Sequence, residues 1–257
     1  MRRVRVIPTL LMDRGRLVKP VAFKMSKAEY IGDVVNLAKL FNDMEVDELV
    51  LLDGHASRKG VCPDFETITN VAGECFMPLA FGGGVSSIDQ IRQVFRCGAE
   101  KVIIGSAFFK NPDLVRIAAD QFGSQSIVVS IDVKENFWGQ LRVFRNGGTK
   151  STGLDPVKAA HHAEIMGAGE ILLTAIDRES TMAGFDLDLI QQISKAVTIP
   201  VIAHGGSKDL ESMHAAVVHG ATAVAACSQF IFKGVHRAVL ITYPSQEELK
   251  QKLFNLL

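Results

Sequence analysis

Short apolar runs alternate with longer mixed segments along the whole chain. Eight runs stand out: Val4–Leu10, Asp47–Asp53, Leu79–Phe81, Lys101–Ile104, Ser126–Asp132, Glu170–Thr174, Pro200–Ala203 and Thr222–Ala226. Short runs of this kind suit parallel strands buried on both faces. The segments between them carry helix-end signals. Asn111-Pro112 and Asp155-Pro156 each place an N-cap before a proline at the first helical position. Ser245-Gln-Glu-Glu248 has capping-box spacing, and Gly98 and Gly220 sit where a glycine follows a helix. Strand–helix alternation of this kind predicts right-handed βαβ units, and eight of them close an α/β (βα)8 TIM barrel.

An internal repeat sharpens that reading. Met77-Pro-Leu-Ala-Phe-Gly-Gly-Gly84 resembles Ile199-Pro-Val-Ile-Ala-His-Gly-Gly206. Pro78 to Pro200 is a step of 122 positions, and the same step relates Gly83 to Gly205, Gly98 to Gly220 and Ser106 to Ser228. Glu48-Leu-Val-Leu-Leu52 matches Glu170-Ile-Leu-Leu-Thr174 at that offset as well. A repeat near half the chain length implies two similar four-strand half-barrels.

The length of 257 residues fits one such barrel over residues 1–257, with no remainder for a second domain. Lysine plus arginine and aspartate plus glutamate number 28 each, so bulk charge points to neither a nucleic acid nor a membrane as partner. Four cysteines without a CxxC pair or zinc-like spacing read as reduced thiols in a cytoplasmic protein, with no metal and no cofactor expected. The opening residues lack the apolar run of a signal peptide, and no 18-residue apolar stretch follows.

In this fold chemistry sits at the C-terminal ends of the strands. Gly82-Gly83-Gly84 and Gly205-Gly206 leave the third and seventh strands, and Gly105-Ser106 and Cys227-Ser228 leave the fourth and eighth. Each pair read alone is a tight turn as readily as a ligand site. Their recurrence in both halves favours two phosphate cradles built from backbone amides and a serine hydroxyl. A ligand with phosphate-like groups at both ends would fit.

Three acids also leave strands: Asp53, Asp132 and Asp177. Asp132, closing the run Ile127–Ile131, is the candidate general acid or base. Lys19, in a loop through Lys24, reads as a mobile cation able to close over ligand. Lys134–Gly153 reads as a small hairpin carrying Phe137 and Trp138. At the opposite end Arg5, Glu48, Lys101 and Glu170 open four strands, and by spacing alone make a self-neutralising plug.

With these residues placed, the chain resembles the cyclase subunit family of imidazole glycerol phosphate synthase. The motifs are Arg5-Val-Ile-Pro8, Leu17-Val-Lys19, Asp47–Asp53, Phe81–Gly84, Phe122–Gln125, Gly167–Thr174 and Ile202–Gly206, spread over essentially the whole chain. The resemblance implies a glutaminase partner at the barrel bottom and ammonia travelling up the barrel axis. It turns Arg5, Glu48, Lys101 and Glu170 into an ammonia gate, and maps phosphate sites onto Gly83, Gly84, Gly105, Ser106, Gly205, Gly206, Cys227 and Ser228.

The chain departs from that family at one decisive place. The family uses catalytic aspartates at the ends of strands 1 and 5; Asp132 supplies the second, but Leu11 stands at the first. Asp13 follows, separated from Leu11 by an expected turn. Glu179-Ser180 replaces an Asp-Gly pair, and Gly105-Ser106 an Asn-Thr pair. A branch associated with surface polysaccharides shares the Leu-Leu strand end and is similar to an ammonia supplier for amidination of acetamido sugars. The expectation is therefore an ammonia-conducting, cyclase-like subunit of a glutamine amidotransferase that handles phosphorylated ligands. An authentic histidine-pathway cyclase subunit and a non-catalytic activator of a glutaminase remain the alternatives.

Overall fold

A computed structural model describes residues 3–234 and 236–256. Met1 and Arg2, which open the stretch read as free of a signal peptide, lie outside them. Eight parallel strands close on themselves: β1 (Arg5–Asp13), β2 (Leu49–Asp53), β3 (Leu79–Gly82), β4 (Lys101–Ile104), β5 (Ile127–Glu135), β6 (Glu170–Ala175), β7 (Val201–His204) and β8 (Ala223–Ala226). Sequential strands pair with one another, β8 pairs with β1, and β5 pairs with β6 to complete the ring. The eight outer helices are α1 (Val34–Asp43), α2 (Phe65–Ala72), α3 (Ile88–Arg96), α4 (Asp113–Phe122), α5 (Pro156–Ile165), α6 (Leu187–Ala196), α7 (Leu210–Val218) and α8 (Gln246–Lys252). This is the (βα)8 barrel expected from the alternation.

Most helices start where a short polar side chain can accept from an otherwise unpaired N–H. Asp33, Asp64, Ser87, Asp155, Asp186, Asp209 and Ser245 all do so, Ser245 within a full capping box with Glu248. Asn111 does not cap as expected: α4 begins after Pro112, which has helical dihedrals and no capping side chain. Gly98 and Gly220 follow α3 and α7 with φ of 102° and 107°, a region closed to most side chains.

Two strands differ most from the expected bounds. β1 and β5 each run nine residues and project beyond the barrel. The projecting parts gain antiparallel partners: Arg16–Lys19 folds back on Met12 and Asp13, and Leu141–Arg145 on Asp132 through Glu135. Those extra ladder bonds carry strand geometry past the point where the apolar run ends. Leu141–Arg145 is the return strand of the expected hairpin. Glu48, Pro200 and Thr222 stand just before their strands.

The core is divided in two. One apolar cluster fills the layer between strands and helices. A second lies inside the barrel and includes Ile7, Val50, Ile103, Val128, Leu172 and Ile202. Among the described residues no helix is long and apolar enough to cross a membrane.

Candidate functional site

The barrel axis carries a charged floor, an apolar middle and a polar top. Successive residues of a strand face opposite sides, so Arg5, Ile7, Thr9 and Leu11 climb the interior of β1 two at a time. At the floor the four residues expected as a gate do converge. Arg5 donates to Glu48 Oε2 at 2.5 Å and to Glu170 Oε1 at 2.8 Å. Lys101 Nζ reaches Glu48 Oε2 at 2.9 Å and Glu170 Oε2 at 3.2 Å. Each cation bridges both acids, which makes a closed ring of alternating sign. Burial alone would lower the Arg5 pKa, but the Glu48 and Glu170 carboxylates outweigh it and raise it, so Arg5 is a fixed charge.

Above the apolar middle opens a cavity of about 110 Å³. Its wall holds Asp132, which accepts from Ser130 Oγ at 3.0 Å. Burial pushes the Asp132 carboxyl up to about 6, against the opposing effect of the Ser130 and Thr174 hydroxyls. A carboxyl there exchanges protons near neutral pH. Register places Thr174 between Asp132 of β5 and His204 of β7. Thr174 Oγ1 lies 3.2 Å from His204 Nδ1, and His204 Nε2 lies 3.6 Å from Glu179 Oε2. A row of polar groups therefore crosses three strands at the cavity floor. Burial depresses the His204 pKa more than Glu179 raises it, so the imidazole is neutral.

Lys19 is not a mobile loop cation. It ends the short strand Arg16–Lys19, is buried, and pairs with Glu179, itself buried in the loop after β6. Burial alone would raise the Glu179 pKa, but the Lys19 ammonium paired with it holds it down to about 2. The same two segments are tied by Ala22 N donating to Glu179 O at 3.0 Å and Ser180 Oγ donating to Pro20 O at 2.8 Å. A side chain expected to move is thus locked by a low-dielectric ion pair.

Both glycine cradles form cavities. Gly83, Gly84 and Ser106 line an open recess of about 310 Å³ that also receives Arg58, Lys59 and Lys110. Ser106 Oγ accepts from Asn146 N at 2.8 Å, and Gly105 lines the adjoining central cavity. Gly205, Gly206, Cys227 and Ser228 line a recess of only about 10 Å³, room for about one water, with Glu179 in its wall. Cys227 is buried, which raises its thiol pKa, and Ser228 Oγ is buried without a hydrogen-bond partner among the described residues.

The remaining acids are used structurally. Asp53 caps the short helix Gly54–Lys59 by accepting from Ala56 N at 2.8 Å. Asp177 accepts from Glu135 N at 3.1 Å and so latches the extension of β5. No turn separates Asp13 from Leu11, because β1 continues through both. Asp13 is occupied nonetheless: its Oδ1 pairs with Arg58 Nη2 at 2.6 Å, while Leu11 faces the cavity. Phe137 and Trp138 cap the hairpin tip, 93% and 80% exposed.

Sequence reasoning missed His204, Thr174 and Arg58 as site residues. The repeat held a signal for the first: His204 stands 122 positions after Gly82, an imidazole where the other half has no side chain. Arg58 and Thr174 carried no motif of their own.

A family model described as histidine biosynthesis protein matches residues 5–236. A Pseudomonas aeruginosa protein provisionally named imidazole glycerol phosphate synthase subunit hisF2 is 46% identical over 249 residues, 96% of this chain and 98% of its own length. A Leptospira interrogans protein, provisionally named as the HisF subunit of that synthase, is 41% identical over 256 residues, 99% of this chain and all of the relative. An Alkaliphilus metalliredigens protein named imidazole glycerol phosphate synthase subunit HisF is 41% identical over 232 residues, 90% of this chain and 91% of its own.

Proposed function

The chain belongs to the histidine biosynthesis protein family, and from that premise we propose that it is an ammonia-conducting, cyclase-like subunit of a glutamine amidotransferase. The observation that carries the reading is the closed ring of Arg5, Glu48, Lys101 and Glu170, directly below an apolar lumen. A charge inside that lumen would lose its hydration without a partner, so neutral ammonia passes where ammonium does not. The ring is the barrier at the entrance. Lys101 is its most adaptable member, a point charge on a flexible stem, whereas the Arg5 guanidinium is bound on two sides. A glutaminase docked at this end would deliver ammonia as the ring opens.

At the upper end Asp132, with a pKa near 6, is the group that would take and return protons. Its family partner on strand 1 is absent because Leu11 fills that position and Asp13 is engaged by Arg58. Losing one positioned acid or base typically costs about 10²–10⁴-fold. We therefore place the protein outside histidine synthesis, supplying ammonia in the cytoplasm for amidination of surface sugars, with a phosphorylated ligand bound or sensed at the glycine cradles. The names of the relatives favour a second reading, an authentic cyclase subunit of imidazole glycerol phosphate synthase.

Purification with candidate glutaminases, followed by glutamine-turnover assays, tests the proposal. A complex whose glutaminase is stimulated by this barrel, and loses that stimulation when the ring is altered, is the expected result. No complex with any glutaminase of the same cell would remove the ammonia channel.

A further inference from the structure

Three adjacent strands set Asp132, Thr174 and His204 in one row. Register pairs Thr174 of β6 with Asp132 of β5 and with His204 of β7, and all three residues line the cavity. His204 breaks the two-fold repeat. The position 122 residues earlier is Gly82, where even a Cβ would meet Ile103 Cβ at 2.9 Å. On its other side His204 is in register with Ala225 of β8, so that strand brings no charge to it. The charged groups facing the imidazole are Glu179, in the loop after β6, and Lys19, on the strand that folds back on β1. Asp132 faces the Ser130 and Thr174 hydroxyls.

A threonine hydroxyl has one proton to give, and a neutral imidazole has one N–H. His204 Nε2 is buried, has no hydrogen-bond partner among the described residues, and lies 3.6 Å from Glu179 Oε2. A lone pair held there would oppose a carboxylate, whereas an N–H is drawn to it. The N–H therefore belongs on Nε2, which leaves Nδ1, 3.2 Å from Thr174 Oγ1, as an acceptor. Thr174 then spends its one proton on the imidazole. Its oxygen can accept from a protonated Asp132 but has nothing to donate to an ionised one.

We propose that His204 is a positioning residue that competes with Asp132 for the Thr174 proton, so that the imidazole fixed by Glu179 favours the proton-bearing form of the carboxyl. The proposal rests on the reading of Asp132 as the group that takes and returns protons, and it widens the pH range over which that carboxyl can donate one. Without His204 the hydroxyl would turn to the carboxylate, and a hydrogen bond to the charged form favours ionisation. One such bond is expected to move the Asp132 titration by about one pH unit, about tenfold in proton affinity.

The full chain carrying 15N-histidine and 13C-carboxyl aspartate, assigned through its backbone and followed by NMR from pH 4 to 8, tests this. The expected results are an Nε2–H tautomer at His204 and, in a His204→Leu chain, an Asp132 titration lowered by about one pH unit. In a Thr174→Val background the same His204→Leu change should leave Asp132 unmoved, which lost packing alone would not explain. An Nδ1–H tautomer in the unaltered chain would overturn the proposal, and that measurement stands even if neither variant folds. So would an Asp132 titration indifferent to His204→Leu, or one shifted equally without the Thr174 hydroxyl. An Asp132 with no titration between pH 4 and 8 would remove the acid–base reading as well, whereas a titrating Asp132 beside the wrong tautomer removes the role of His204 alone.

Discussion

Replacing Asp132 with asparagine should change how stability depends on pH, in a direction fixed by its surroundings. The carboxyl is raised from an ordinary 3.8 to about 6 because burial disfavours its charged form. Between those values the folded chain holds a proton that the unfolded chain has released, so its stability falls as pH rises across that window and is level above it. The difference of about two pH units corresponds to about 3 kcal/mol at 1.36 kcal/mol per unit. That figure is a ceiling, since the side chain borders a cavity open to water. Asparagine keeps the shape and has no charge to bury. The variant should match the parent near pH 3.8 and exceed it by about 1–3 kcal/mol at pH 8. The groups facing Asp132 are the Ser130 and Thr174 hydroxyls, so other titrations cancel in the comparison. Urea denaturation of both chains at pH 4 to 8 reads the difference directly. Parallel stability curves would refute the reasoning, because they would mean Asp132 ionises as freely in the fold as in water.

Other consequences concern the two charge clusters and the hairpin. Lys19→Met strands Glu179 without its partner and should cost about 3–5 kcal/mol in denaturant midpoint analysis, with Glu179→Gln added recovering part of it; a loss near zero would contradict the locked pair. Because Glu179 is held down to about 2, that pair's contribution is present above pH 4.5 and is lost as pH falls toward 2, which acid unfolding of the parent against the double variant would reveal. Arg5→Ala removes one of the two cations serving Glu48 and should cost about 1–3 kcal/mol by thermal unfolding, whereas an unchanged midpoint would make the ring irrelevant to the fold. Trp138→Ala at the exposed hairpin tip should stay within about 0.5 kcal/mol of the parent, and a larger loss would show that the tip is a structural element.

The barrel was legible because its period is carried by many residues at once. Eight apolar runs and the 122-residue offset each reported the same arrangement, and a misplaced strand end at Glu48 or Pro200 did not disturb it. The floor was legible in position, since Arg5, Lys101 and Glu170 head their strands and Glu48 stands just before its own, yet spacing could not tell a plug from a gate. Lys19 was misread because its fate depends on Glu179, 160 positions away, and no local pattern encodes that pairing. Asp13 was misread for a related reason: strand geometry continues through it only because Arg16–Lys19 folds back to pair. Asp53 and Asp177 also leave strands, and the amides they accept from give them structural roles that no local pattern encodes. Side chains whose partners are distant in sequence acquire their roles from tertiary contacts, and these were the ones sequence patterns failed to assign.

The central claim, that this barrel supplies ammonia without completing histidine-pathway ring closure, turns on Leu11. Leu11 lines the top cavity where a second carboxylate would be needed, and its side chain packs 3.1 Å from where a Cβ on Gly54 would stand. A Leu11→Asp chain would restore an acid across from Asp132, with at most slight activity, since a misplacement near 1 Å costs about 10²-fold. The most direct measurement is growth without histidine of a cell lacking its own cyclase subunit and given this chain with its glutaminase. The account predicts no growth from the unaltered chain. Robust growth would contradict it, and would make the protein an authentic imidazole glycerol phosphate synthase subunit that replaces the missing acid by another group.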